Sequence, residues 1–172
     1  MRNKGVFRIV ICALFAALSC VATMVIQIPS PMQGYVNLGD CIVLLGAFVL
    51  GPVYGAVAGG VGSMLADLLL GYALYAPGTL VIKAIMGLVA GFLFLILKNK
   101  NKYAGLIVGG LAAEAVMVLG YFLYAMLLMG EGLAAAASIP GNLFQGAVGI
   151  IVSVILYIAL EKSKVLKQIE KR

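Results

Sequence analysis

The 172-residue chain contains no histidine. That excludes zinc sites of the HExxH kind and every Ser-His-Asp or Cys-His catalytic unit. No G-x-x-x-x-G-K-[ST] run is present, so the chain carries no P-loop with which to hydrolyse ATP. Charge is scarce too: 10% of residues are charged, where a soluble domain carries about 25%. The three cysteines (Cys12, Cys20 and Cys41) form no C-x-x-C pair and lie in or beside apolar runs. They read as buried thiols acting as small apolar side chains. No metal or cofactor motif is legible, and the chain has no engine of its own.

What the chain does have is apolar surface. Sixty-four per cent of residues are apolar and the mean hydropathy is +1.16, which excludes a water-soluble globule. Since about 20 apolar residues cross a bilayer once, this length holds roughly five or six spans and little else. The expected spans run over about 6–28, 40–50, 52–71, 79–97, 103–129 and 139–160. Pro29-Ser30-Pro31-Met32-Gln33-Gly34 is a loop by composition. Gly51-Pro52 splits a long apolar region, because proline after a glycine suits the first position of a new helix. The alanine-rich stretch before Ile139 carries no clear signal. A basic start before an apolar run has the outline of a signal peptide, and Ala17-Leu18-Ser19-Cys20 that of a lipoprotein cleavage site. The run continues unbroken to Ile28, so an uncleaved first helix is expected.

Placement of the formal +6 charge decides the topology. Basic residues gather at Arg2, Lys4 and Arg8, in Lys98-Asn99-Lys100-Asn101-Lys102, and from Lys162 to Arg172. Beside so many apolar runs, this pattern marks cytoplasmic ends rather than nucleic-acid binding. Six helices with both termini inside put every Lys and Arg except Lys83 on the cytoplasmic face, whereas five would strand the 98–102 run outside. The fold class is therefore an all-α integral membrane protein: one six-helix domain in a prokaryotic plasma membrane, seated in the lipid bilayer.

Charges within spans are costly, about 2.5–3.5 kcal/mol each on insertion scales, and face a cavity or a partner. Asp67, Lys83 and Glu114 stand out. Asp67 and Lys83 fall at similar depth in the outer half, so two readings stand together: a self-neutralising pair, or a face toward a ligand. Glu114 shares one helical face with Met117, Tyr121 and Tyr124. Asn142 and Gln145 open the last helix, and Asn37 and Asp40 open the second, where capping is an adequate role for Asp40. Tyr72 and Tyr75 lie in an outer loop suited to an aromatic belt. Polar groups thus concentrate in the outer half and no chain of sites crosses inward, which describes a pocket open to the outside and suited to a small aromatic-sized solute. Small residues recur at four-residue steps, Gly51/Gly55/Gly59/Ser63 on the third helix and Ala13/Ala17 on the first. They permit close helix approach, by internal packing for the third helix, with docking on another protein a rival reading for the first.

Several stretches carry a family resemblance: Tyr35-Val36-Asn37-Leu38-Gly39-Asp40, Leu50-Gly51-Pro52-Val53-Tyr54-Gly55, the run from Gly59 to Asp67, the run from Ala76 to Lys83, and Pro140-Gly141-Asn142-Leu143-Phe144-Gln145-Gly146. In these the chain resembles the S components, the substrate-binding membrane subunits of energy-coupling factor (ECF) vitamin transporters. The resemblance implies capture of a vitamin-like small molecule near the outer face, and the polar and aromatic residues of the outer half supply the expected substrate-binding set: Asn37, Asp67, Tyr75, Lys83, Glu114, Tyr121, Asn142 and Gln145. It further implies a coupling membrane subunit and two ATPase subunits as partners, docked through Ala13 and Ala17. The nearest branch is the riboflavin-type one, which also holds members assigned to hydroxymethylpyrimidine or pyridoxine. The acidic Glu114 and the shortage of bulky apolar pocket residues favour a pyrimidine or pyridine vitamin over a flavin. The rivals are a self-sufficient transporter coupling protons through Asp67 or Glu114, a small membrane enzyme, and an assembly protein.

Overall fold

The computed structural model describes residues 4–29 and 35–170. Six apolar helices form the bundle: α1 (Lys4–Val25), α2 (Gly39–Leu50), α3 (Pro52–Leu69), α4 (Ala76–Leu97), α5 (Lys102–Leu127) and α6 (Ile139–Lys162). A short α7 (Val165–Glu170) follows. Of the six in the bundle, all but α2 are long and apolar enough to cross a bilayer unaided. α2 has 12 residues, about 18 Å of helix, and is apolar all round because it is the buried axis of the bundle. Val43, Leu44, Leu45, Ala47 and Phe48 are buried, and α1, α3, α4 and α6 all pack on it.

Sequence punctuation sets the helix ends. Gly51 takes φ +84°, which an L side chain resists, and Pro52 restarts the chain as α3. Asn101 caps α5, accepting from Ala104 N at 3.1 Å. Two expected boundaries shift. Residues beyond Val25 leave the first helix, since Gln27–Pro29 (β1) pairs antiparallel with Tyr35–Asn37 (β2); the expected loop over 29–39 is in part this hairpin, and its 30–34 portion lies outside the described residues. The fourth helix starts at Ala76, three residues early, with Pro77 in its first turn. The alanine-rich stretch is a 3-10 helix, Gly132–Ser138, leading into α6.

The small-residue steps of α3 are internal contacts. A Cβ on Gly55 would lie 2.5 Å from the Ala47 backbone, on Gly59 2.7 Å from Val43, and on Gly62 2.3 Å from the Ala16 carbonyl. These glycines let α3 close on α1 and α2. The end bearing Lys98 and Lys100, cytoplasmic by the positive-inside rule, is lined mainly by apolar and aromatic side chains. Phe48, Phe94 and Tyr157 pack there with centroids 5.3–6.3 Å apart, and Lys102 pairs with Glu161 at 2.5 Å.

Candidate functional site

At the opposite end the bundle opens. β2 carries Tyr35 and Asn37 on one face, two residues apart as strand geometry requires. The Asn37 side chain accepts from Gly39 N at 2.8 Å, and its own N–H donates to Gln145 Oε1 at 2.7 Å. Gln145 Nε2 donates to Asp40 Oδ2 at 2.6 Å, and Lys83 donates to Asp40 Oδ1. One network therefore ties the hairpin, α2, α4 and α6, with Asp40 and Lys83 both buried.

Two expectations are corrected here. Lys83 pairs with Asp40 rather than Asp67. The early start of α4 sinks Lys83 seven residues, about 10 Å, below the helix start, while Asp67 stays near the outer end of α3. Nor does Asp40 cap α2: the N-cap residue is Leu38 without a side-chain bond, and Asn37 satisfies the first amide.

Asp67 accepts instead from the Tyr35 hydroxyl, 2.6 Å to Oδ1. Tyr35 lies outside the spans, and burial first, then the hydrogen bond to Asp67, raises its phenol above the usual range. Tyr121 donates to Thr79 Oγ1 at 3.0 Å, with Lys83 Nζ 5.4 Å from its ring centre. Tyr35 and Tyr72 meet with ring centroids 4.7 Å apart and planes tilted by 45°. Tyr75 lies 6.3 Å from Tyr124, whose hydroxyl donates to the Leu74 carbonyl at 2.6 Å.

These groups enclose a cavity of about 50 Å³ (space open to the centre of a water molecule). Asn37, Asp67, Tyr75, Lys83, Tyr121, Asn142 and Gln145 all line it. Glu114 does not. It is buried behind the cavity against α6, where a Cβ on Gly149 would lie 2.8 Å from its Oε1, and in the field of Asp40 and Lys83. Neither of its carboxylate oxygens accepts a hydrogen bond among the described residues. The sequence reading passed over Thr23, Ser63, Thr79, Glu131 and Ser138, and kept Tyr35 and Tyr72 out of the binding set, yet all line the cavity. Spacing was the available signal: Ser63/Asp67 and Thr79/Lys83 are four-residue pairs on single helix faces. Ala13 and Ala17 lie elsewhere, exposed on the outer face of α1.

Apolar helices around a polar cavity that opens at one end, with packed aromatics at the other, define a multi-pass membrane protein that holds a small solute. The chain belongs to the family described as ECF-type riboflavin transporter, S component, whose model matches residues 3–162. It is 41% identical over 133 residues to an uncharacterised protein of Pyrococcus woesei, covering 77% of this chain and 86% of that one. It is 27% identical over 173 residues to a protein of Lactococcus lactis subsp. cremoris (strain MG1363) named thiamine precursor transporter HmpT, covering 99% and 98%. The solved S component of a bacterial ECF transporter superposes with a TM-score of 0.66 at 26% identity, covering 90% of this chain and 95% of that one. The chain is thus a subunit of a vitamin or vitamin-precursor transporter in the prokaryotic plasma membrane, and not an enzyme. Its family works with the ECF module.

Proposed function

We propose that the chain captures a single-ring pyrimidine or pyridine vitamin or precursor, of the hydroxymethylpyrimidine or pyridoxine type, for an ECF importer. The observation that carries this is convergence: seven side chains from β2, α3, the loop before α4, α4, α5 and α6 meet at one cavity open at the outer end. Asn142, Gln145 and Asn37 offer amide edges, Tyr75 and Tyr121 offer ring faces, and Asp67 and Lys83 offer charge-assisted hydrogen bonds. A cavity of about 50 Å³ holds roughly three to five waters, a volume that favours one substituted ring over a tricyclic flavin. The name of the Lactococcus relative supports the same choice. Release would follow docking on a coupling membrane subunit with two ATPases, through the exposed Ala13/Ala17 face.

Calorimetry on the purified chain with 4-amino-5-hydroxymethyl-2-methylpyrimidine, pyridoxine and riboflavin tests the reading. Submicromolar binding of either single-ring compound, with riboflavin at least about tenfold weaker, is expected. Tighter binding of riboflavin overturns the choice of ring.

A further inference from the structure

Three polar oxygens on the cavity wall, two of carboxylates and one of a hydroxyl, have no hydrogen-bond partner among the described residues: Asp67 Oδ2, Glu131 Oε2 and Thr23 Oγ1. Asp67 is 4% exposed and Thr23 3%, so water does not satisfy them freely, and a buried polar atom without a partner is costly. They come from separate elements. Thr23 ends α1 beside the Asn37–Gly39 turn, Asp67 ends α3, and Glu131 sits between Gly130 and Gly132, both at positive φ, in the turn after α5.

The charge around them is one-sided. Lys83 is the one cation lining the cavity among the described residues, and it is already bound to Asp40. Asp67 and Glu131 both line the wall. Tyr35, Tyr72, Tyr75 and Tyr121 complete the lining with electron-rich rings, the partners that cations prefer.

Resting on the reading of this cavity as the capture site, we infer that the Asp67 wall selects ligands by charge: it takes the unphosphorylated, N–H-bearing, neutral or cationic form of a heteroaromatic ring and rejects its phosphate ester. An exocyclic amine or ring N–H donates to Asp67 Oδ2, and a hydroxymethyl group satisfies Thr23 or Glu131. A phosphate dianion brings no donor to the Asp67 and Glu131 carboxylates and meets both of them, while the single cation of the wall is already neutralised by Asp40. Like charges opposed at a desolvated site discriminate strongly.

The test measures affinities of the full chain in phosphatidylcholine nanodiscs for three pairs: 4-amino-5-hydroxymethyl-2-methylpyrimidine, pyridoxine and riboflavin, each beside its monophosphate. For whichever compound binds, the free form is expected to bind at least about 100-fold tighter than the ester. Asp67→Asn should narrow that ratio at least about tenfold. Glu131→Gln, at the rim where folding is little affected, should narrow it less. Equal affinity for a free form and its ester overturns the inference, and so does a ratio that neither variant changes, because exclusion is then steric. If only riboflavin binds, the proposed ring falls while the riboflavin pair still scores the charge rule. If none of the six binds, both fall.

Discussion

Lys83 pairs with Asp40 and not with Asp67, although all three are buried and Asp67 lines the same cavity as Lys83. The pair joins the start of α2 to α4, and Gln145 adds α6 by donating to the other Asp40 oxygen at 2.6 Å. Because α2 is short and sits on the bundle axis, this bond fixes the depth of the hairpin that carries Asn37 and Tyr35. Removing one partner leaves the other charged and buried. Lys83→Met or Asp40→Asn alone should destabilise by about 3–5 kcal/mol, while the double variant should recover a large part of that loss. A double-mutant cycle on detergent unfolding midpoints checks the coupling; additive losses would show that the contact has no energetic weight.

Glu114 drew attention in the sequence as the acid in the middle of an aromatic helix face, yet the cavity ends before reaching it. Its carboxylate lies against the Gly146/Gly149 face of α6 and accepts no hydrogen bond among the described residues. Glu114→Gln keeps the shape and removes a buried carboxyl beside Asp40. The expected result is unchanged or higher thermal stability, with ligand affinity within about threefold of wild type. A loss of a hundredfold in calorimetry would mean that ligand entry opens the cavity as far as Glu114.

The span count and the polar outer half were legible because each rests on a strong local term. Apolar run length fixed the spans, basic residues fixed the sidedness, and Gly51-Pro52 fixed the turn between α2 and α3. Pairing was not legible, since it depends on depth to within a turn. Starting α4 at Ala76 instead of about 79 lowers Lys83 by about 4.5 Å, enough to exchange one carboxylate for another. The hairpin was hidden for another reason: its strands are three residues each, too short for an alternating pattern to register. Thr23 was missed because a single small hydroxyl within the apolar run of α1 carries no signal of its own. Only its outer end turns buried hydroxyls, Ser19 and Thr23, toward the bundle.

Tyr75 reports on the cavity mouth under alkaline conditions. Burial, followed by the nearby Glu131 carboxylate, pushes its phenol up to about 12, against about 10 in an unfolded chain. A raised pKa means that the stabilising contribution is fully present below about pH 10 and is lost as pH climbs from there through about 12. Wild-type protein in detergent should therefore lose thermal stability across that window faster than Tyr75→Phe, which has no proton to release there. Melting midpoints at half-unit steps from pH 8 to 12 give the comparison, and parallel curves would refute it.

Ala13 and Ala17 are exposed on one face of α1, while Cys12, Phe15 and Ser19 on the other are buried against the bundle. Neither alanine lines the cavity. The two lie one helical turn apart, and their small side chains leave a shallow track along which another helix approaches closely. Ala13→Trp or Ala17→Trp fills that track without touching the core. Either should reduce recovery of the ECF coupling subunit in co-purification by at least about tenfold, while vitamin affinity stays within about twofold. The split between the two readouts is what matters. Joint loss of docking and binding would mean that the substitution disturbs the fold, and retained docking would move the partner surface to another face of the bundle.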